Sequence, residues 1–260
     1  MKDKKILNGQ EIIVNVRNLK IGGKNPKIFI GGPCSVESEK QIMTTAKHLK
    51  EIGVDILRGG VFKPRTSPYA FQGLEEEGLK MLRKAGDEFD LPIITELMDE
   101  KNLDLMLEYT DIIQIGSRNM YNYPLLKTLG GVDKPVLLKR GMSATIKEWV
   151  LAAEYLAAHG NKNIILCERG VRGFDNYTRN MLDLAAVPIM KKETGLPIIV
   201  DPSHGTGVKW LIPPMTKAAL AAGADGIMVE VHPNPSEALS DGDQSLTFEE
   251  YENIYKECAK

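Results

Sequence analysis

Three cations crowd one short stretch of this 260-residue chain, RGGVFKPRTSPYAFQG over residues 58–73. Arg58, Lys63 and Arg65 fall within eight positions, and the next acid along the chain is Glu75. Arginine suits bidentate contact with phosphate or carboxylate, and lysine acts as a compact point charge. Because strongly apolar residues surround these cations, the pattern indicates a site for anionic ligands rather than a solvated surface.

The same stretch overlaps one of a series of apolar runs, each of which ends near a residue able to bind an anion, bind a metal or move a proton. Short runs rich in β-branched residues and bounded by turn or polar residues are typical of strands buried on both faces. Eight occur: KIFIGGPC (27–34), VDILRGGVF (54–62), LPIITELM (91–98), DIIQIGSR (111–118), KPVLLKRG (134–141), NIILCERG (163–170), LPIIVDPSH (196–204) and DGIMVEVHP (225–233).

Segments with apolar residues at helical spacing separate these runs, and strands that alternate with helices predict an all-parallel sheet. Eight repeats without a strand-order reversal favour a closed (β/α)8 TIM barrel over an open doubly wound sheet. The helical segments are 37–52, 74–89, 99–108, 144–159, 177–194 and 214–222, and 119–133 is long enough for one more.

Residues 10–26 alternate like a small β-hairpin, which we expect to cover the bottom of the barrel. We therefore expect one catalytic domain over residues 1–260, with residues 1–26 as an N-terminal hairpin extension.

Composition excludes several classes of protein. The chain is 43% hydrophobic with a net charge of −2, which favours neither nucleic acid nor a membrane surface as the main partner. No secretory signal is visible, and no apolar run approaches the length of a membrane span. The cysteines Cys34, Cys167 and Cys258 are odd in number and widely spaced, so they predict no disulfide framework and favour a reducing cytoplasm.

Barrel enzymes place their chemistry at the C-terminal ends of the strands. In chain order, the eight predicted ends carry Cys34, Arg58, Glu96, Arg118, Lys139, Arg169, His204 and Glu230. The converging cations are Arg58, Lys63, Arg65, Arg118, Lys139 and Arg169. Each phosphate carries about −1.5 to −2 charge, so two phosphates and a carboxylate would roughly balance six cations. The alternative is that these cations pair with nearby acids or face solvent.

A second group of strand-end residues predicts a metal site. Cys34, His204 and Glu230 come from the first, seventh and eighth strands, which are neighbours in a closed barrel, and Asp241 in the following loop supplies a fourth ligand. A thiolate, an imidazole and two carboxylates suit Mn, Fe, Co or Zn better than Mg or Ca. A buried core cysteine and a satisfied polar histidine are the alternatives. His232 is a rival ligand, although the proline after it suggests that the chain is already leaving the strand.

Several of these segments together resemble one enzyme family. GPCSVES, KPRTSPY, IGSRNM, LLKRG, DPSHGTG and EVHPNP…SDG are similar to segments of the 3-deoxy-D-arabino-heptulosonate 7-phosphate (DAHP) synthases, type I beta branch, over about residues 10–255. The sister enzyme that makes 3-deoxy-D-manno-octulosonate 8-phosphate from arabinose 5-phosphate has a KANRSS-like segment in place of KPRTSPY. That enzyme is the nearest alternative. A non-catalytic anion-binding barrel is another, and it predicts tolerance of Cys34→Ser.

The resemblance implies condensation of phosphoenolpyruvate with erythrose 4-phosphate, with release of phosphate. It implies one divalent ion on Cys34, His204, Glu230 and Asp241; we expect manganese, with iron, cobalt and zinc as alternatives. It assigns the phosphoenolpyruvate carboxylate to Arg58 and Lys63, its phosphate to Arg118, Lys139 and Arg169, and the erythrose 4-phosphate phosphate to Arg65, Thr66 and Ser67. Lys63 is the candidate general acid, with His204 and Cys34 in the catalytic centre and Glu96 and Asp201 as supporting proton-handling groups.

The resemblance also carries expectations about assembly and control. The family commonly forms homotetramers, and some members carry an N-terminal ferredoxin-like or chorismate mutase domain. Only the hairpin precedes the barrel here, so we expect little or no intrinsic inhibition by aromatic amino acids or prephenate. Control through a separate chorismate mutase partner stays an open alternative.

Overall fold

The eight predicted strands close into a parallel barrel in this computed structural model, which describes residues 4–63 and 67–259. The barrel strands are β3 (Ile28–Gly32), β4 (Ile56–Arg58), β5 (Ile93–Glu96), β6 (Ile112–Ile115), β7 (Val136–Lys139), β8 (Ile164–Glu168), β9 (Ile198–Val200) and β10 (Gly226–Glu230). Strand β10 pairs with both β9 and β3, which closes the ring. The predicted TIM barrel is therefore confirmed, and all eight strands end at the same rim.

The predicted N-terminal hairpin is also confirmed. Strands β1 (Val14–Val16) and β2 (Leu19–Ile21) pair antiparallel, and their apolar side chains pack in one cluster with the inward-facing residues of the barrel. At the turn, the Arg17 side chain donates a 2.8 Å hydrogen bond to Asp111, which lies just before β6. The hairpin thus covers the N-terminal end of the barrel and leaves the opposite rim open.

Helices connect the strands and pack around them, and several have capping residues that fix their ends. Ser38 accepts a hydrogen bond from the Gln41 amide at the start of the first helix, and Gly53 ends that helix in the left-handed conformation. The helices are α1 (Glu39–Ile52), α2 (Glu75–Glu88), α3 (Leu103–Tyr109), α4 (Tyr123–Gly130), α5 (Ile146–Ala158), α6 (Ala186–Thr194), α7 (Pro202–Thr206), α8 (Ile212–Ala221) and α9 (Phe248–Cys258).

Two sequence-based expectations about helices were wrong. The segment 177–194 is helical only from Ala186. Val171 and Met181 form a β-bridge and the Arg179 amide bonds to the Thr206 carbonyl, and these contacts hold the preceding residues in bends rather than a helix. Helix α9 was missed, although Thr247 and Glu250 form a capping box at its start. The polar composition of this segment concealed a single buried face, formed by Tyr251 and Ile254.

No helix in the described ranges combines the length and the apolar character that a membrane span requires.

The close approach of β4 leaves no room for a side chain at Gly32, the last residue of β3. Its φ of +142° lies in a region that L residues rarely adopt, and an added Cβ would lie 1.9 Å from the Arg58 carbonyl oxygen. We expect Gly32→Ala to lower the free energy of unfolding by about 3 kcal/mol or more, since strain and overpacking add. Chemical denaturation measures this change.

Gly223→Ala is the matched control, because Gly223 has a φ of +94° but nothing within 4 Å of the added Cβ. We expect it to cost only about 1–2 kcal/mol of backbone strain. Equal losses in the two variants would show that the contact with Arg58 is unimportant.

Candidate active site

An open cavity lies at the free rim of the barrel, and most of the predicted cations line it. Arg58 and Lys139 are the last residues of β4 and β7, and Arg169 directly follows β8. Arg118 lies in a 3-10 turn, Ser117–Asn119, after β6. Together with Lys63, these residues form a positively charged wall of the cavity.

Three predicted residues of the loop after β4 differ from this group. Arg65 and Thr66 lie outside the described residues. Ser67 is exposed and does not line the cavity. Their predicted contact with a second phosphate therefore stays a prediction.

Arg169 is the cation most clearly prepared for an anionic ligand. It is 4% exposed and lines the cavity, and its Nη1 has no hydrogen-bond partner in the described ranges. Burial lowers the pKa of its guanidinium from the ordinary value, which shows how strongly the charge is desolvated. A buried donor without a partner is costly, so a phosphate or carboxylate that entered the cavity would relieve this cost.

Three of the other cations are not free charges, contrary to the simplest form of the sequence prediction. Arg58 donates to the Glu230 carboxylate at 2.8 Å, and Lys139 donates to Asp201 at 2.7 Å. Lys63 contacts the Cys34 sulfur at 2.9 Å. Each therefore stabilises a neighbouring residue of the site while it still lines the cavity.

The predicted metal ligands come together. One donor atom from each of Cys34, His204, Glu230 and Asp241 lies within 4.8 Å of the other three. His204 Nε2 lies 3.2 Å from Glu230 Oε1, and Cys34 Sγ lies 3.2 Å from Asp241 Oδ2. Ligand atoms bound about 2.0–2.3 Å from a common ion are separated by roughly 3–4 Å, so the four donors fit a single divalent ion. The thiolate and imidazole favour a transition metal.

Burial and charge act differently on the members of this cluster. Burial alone would raise the pKa of the Glu230 carboxyl, but His204 and Arg58 outweigh it and lower the pKa to about 2. Burial and the nearby Glu230 raise the pKa of the Cys34 thiol to about 11, despite Lys63. A metal ligand must be a thiolate, so an ion bound here would displace the thiol proton.

Helix α7 presents His204 to the cluster in a fixed orientation. Asp201 caps this helix by accepting from the His204 amide, and its Oδ2 also lies 2.7 Å from His204 Nδ1. Burial would raise the Asp201 pKa, but His204 and Lys139 hold it well below the ordinary value. The arrangement leaves Nε2 for a metal, as in other carboxylate–histidine–metal sites.

The rival ligand His232 is occupied elsewhere. Its Nε2 faces Glu37 Oε2 at 3.4 Å, and the other oxygen of Glu37 accepts from the Leu239 amide at 2.9 Å. This contact fixes the loop that carries Asp241. Asp241 itself has a φ of +51°, a left-handed conformation that the loop must hold against some strain.

The sequence analysis missed Arg179, Gln244 and Gln114. Arg179 and Gln114 line the cavity, and Gln244 donates a side-chain hydrogen bond to Glu230. The segment with Arg179 had been assigned to a helix, which concealed it, although it closely follows Arg169 in the sequence. Gln114 lies within the apolar run that forms β6, where a polar side chain is itself a signal. Gln244 had no comparable signal.

Comparison with known proteins agrees with this geometry. The model of the DAHP synthetase I family matches residues 8–260. A Thermotoga maritima protein named phospho-2-dehydro-3-deoxyheptonate aldolase is 53% identical over 251 residues, which cover 96% of this chain and 74% of that protein. A 2-dehydro-3-deoxyphosphooctonate aldolase of Syntrophotalea carbinolica is 32% identical, with 94% of each chain covered.

Solved structures give the same relationship. The crystal structure of Thermotoga maritima DAHP synthase superposes with a TM-score of 0.95 at 50% identity, covering 99% of this chain and 76% of that one. A truncated form of the synthase from the same organism gives a TM-score of 0.88 at 48% identity, with 95% and 90% covered. From its sequence, its barrel and the residues at its rim, the chain belongs to the DAHP synthetase I family.

Proposed function

We propose that this chain is a DAHP synthase, which condenses phosphoenolpyruvate with erythrose 4-phosphate and water to give DAHP and phosphate, the first step of the shikimate pathway. One observation carries the proposal. The buried Arg169 Nη1, which has no hydrogen-bond partner among the described residues, lies at the same cavity as the four-donor cluster, whose members His204 and Asp241 line it. An anionic substrate and a metal-dependent reaction are both expected at such a site.

The cationic wall would bind phosphoenolpyruvate. Arg169 offers a donor that no described residue uses, and Arg118 lines the same cavity. We assign the phosphate to these two residues with Lys139, and the carboxylate to the side of Arg58 and Lys63. Two charged ends fixed at separate points of the cavity would orient C3 of the enol toward the second substrate, which lowers the entropic part of the barrier.

The reaction then forms one carbon–carbon bond and one carbon–oxygen bond from water, and it breaks the carbon–oxygen bond to phosphate. C3 of phosphoenolpyruvate attacks the aldehyde carbon of erythrose 4-phosphate, and we assign to Lys63 the donation of a proton to the aldehyde oxygen. Water adds at C2, where positive charge has developed, and loses one proton. The C2–O bond to phosphate then breaks as the new C2 hydroxyl gives up its proton and becomes the ketone, and the departing phosphate accepts a proton. Arg169 and Arg118 stabilise the charge on the departing phosphate.

A divalent ion held by Cys34, His204, Glu230 and Asp241 would polarise the aldehyde oxygen or orient a water. Three neighbouring residues contact the donor residues of the cluster. Asp201 holds the His204 ring, Arg58 balances the Glu230 charge, and Lys63 stays within reach of Cys34.

A specific observation keeps the octulosonate synthase as a second candidate. The Syntrophotalea carbinolica relative with that kind of name matches 94% of this chain, although its identity is 32% against 53% for the Thermotoga maritima relative. The two activities share the first substrate and differ in the sugar phosphate, so the choice depends on the loop that carries Arg65 and Thr66.

We further propose that residues 1–260 act as one catalytic domain, with manganese as the ion and a homotetramer as the assembly. The set of four donor residues supports manganese, although it also suits iron, cobalt and zinc. The family resemblance supports the homotetramer. We also propose that the protein works in the cytoplasm, which its three free cysteines support. A separate chorismate mutase is the partner that we propose for feedback control.

Turnover with two sugar phosphates tests the main proposal. We expect the purified chain with Mn²⁺ to release phosphate from phosphoenolpyruvate much faster with erythrose 4-phosphate than with arabinose 5-phosphate. A chelator should abolish the activity, and added Mn²⁺ should restore it. A preference for the five-carbon sugar would select the second candidate, and phosphate binding without turnover would overturn both.

Substitution of the unpartnered arginine tests its role in substrate binding. We expect Arg169→Met to lower kcat/KM for phosphoenolpyruvate by roughly 10–100-fold, since a charge-assisted contact contributes about 1.5–3 kcal/mol. Initial rates over a range of phosphoenolpyruvate concentrations measure the change. Arg172→Met is the matched control, because Arg172 is an exposed arginine on the same loop that does not line the cavity. Similar losses in both variants would refute the assignment.

A further inference from the structure

We propose that Arg179, Asn180 and Gln244 form a positioning layer that orients three of the four metal ligands from behind. The inference rests on the proposed metal site and goes beyond it, because these three residues bind no substrate in the proposed mechanism. Their contacts reach the carboxylates of Glu230 and Asp241 and the backbone of His204.

Gln244 links two charged groups through its two amide atoms. Its Nε2 donates to Glu230 Oε2, and its Oε1 accepts from Arg179 Nη1 at 3.1 Å. Gln244 is 4% exposed, so water cannot readily replace either hydrogen bond of its side-chain amide. With Arg58 on Oε1, both oxygens of Glu230 are fixed, and the carboxylate has little freedom to rotate.

Arg179 also acts directly on the second carboxylate. The same Nη1 lies 3.7 Å from Asp241 Oδ1, while Asp241 Oδ2 is the oxygen nearer Cys34. One guanidinium nitrogen thus serves both acidic ligands, one by charge and one through Gln244. Because Asp241 has a left-handed backbone conformation, an electrostatic partner for its side chain helps to hold the loop in this conformation.

The third contact is made by the next residue along the chain. Asn180 Nδ2 donates at 2.9 Å to the His204 carbonyl oxygen within α7. The segment itself is held in place, since the Arg179 amide bonds to the Thr206 carbonyl at 2.7 Å and Val171 pairs with Met181. Residues 179–180 are therefore anchored to the helix that carries one ligand while they contact the loop that carries another.

Outer contacts of this kind determine metal affinity because they orient the ligands before the ion arrives, and their removal typically costs about 10–100-fold in affinity or activity. Arg179 could instead be only one more cation at the cavity wall. In that case it would affect anionic substrates but not the ion. Direct metal binding without substrate separates the two roles.

The test measures the Mn²⁺ dissociation constant by electron paramagnetic resonance of free Mn²⁺, with the intact chain and no substrate present. We expect Arg179→Met and Gln244→Met each to raise the dissociation constant by about 10–100-fold. Arg179→Lys, which keeps a charge but loses the planar fork, should fall between Arg179→Met and the wild type. Arg172→Met should match the wild type, because it removes the same charge from the same loop without these contacts.

The double variant tests whether the two residues act through one chain of contacts. We expect Arg179→Met with Gln244→Met to weaken binding by less than the product of the two single effects, since they share the bond between them. Thermal unfolding of each metal-free variant verifies folding, and Arg179→Lys serves as the second variant if Arg179→Met does not fold.

Wild-type affinity in Arg179→Met, Arg179→Lys and Gln244→Met would overturn the inference and leave the proposed function standing. A wild-type chain that binds no Mn²⁺ would overturn the proposed metal site and this inference together. A raised KM for phosphoenolpyruvate in Arg179→Met with unchanged Mn²⁺ affinity would assign Arg179 to the substrate instead.

Discussion

The pairing of β10 with β3 is the contact on which the candidate site depends. It places Glu230 opposite Gly32, so that Cys34, two residues further on, meets a carboxylate from the other end of the sequence. The pairing of β10 with β9 brings His204 to the same point. Barrel closure and assembly of the candidate metal ligands are therefore one event.

Around the contact between β10 and β3, buried acidic side chains are paired with basic or hydrogen-bonding side chains. Glu230 is buried between Arg58, His204 and Gln244, and Asp201 is buried between Lys139 and His204. Isolated buried charges would be costly, whereas paired and hydrogen-bonded charges can be held in the interior. Only part of the positive wall is used in this way. The pairing is incomplete at Arg169, whose Nη1 has no hydrogen-bond partner among the described residues.

Much of this arrangement could be predicted from the sequence, because strand periodicity determines the barrel and the barrel determines which ends meet. Cys34, His204 and Glu230 were assigned to one ion on that basis, and their side chains lie together. The paired state of Arg58 and Lys139 could not be predicted, since it depends on which acids face the interior. Two such acids, Asp201 and Glu230, lie on or just beyond neighbouring strands rather than near these cations in sequence.

The errors have equally specific causes. Residues 177–185 contain apolar side chains at helical spacing, but tertiary hydrogen bonds to α7 hold this segment in a non-helical conformation. The non-helical conformation brings Arg179 to the cavity. A helix that started at residue 177 would not have suggested this position. Helix α9 was missed because its burial depends on only two residues, whereas its capping box was visible in the sequence.

The absorption spectrum of the protein during titration with Co²⁺ tests the central claim most directly, because a thiolate bound to cobalt gives an intense near-ultraviolet charge-transfer band. If Cys34 and His204 share one ion with Glu230 and Asp241, the band should grow to saturation at one equivalent. It should disappear in Cys34→Ser while weaker visible bands of bound cobalt persist. No charge-transfer band in the wild type, or the same band in Cys34→Ser, would contradict the proposed site.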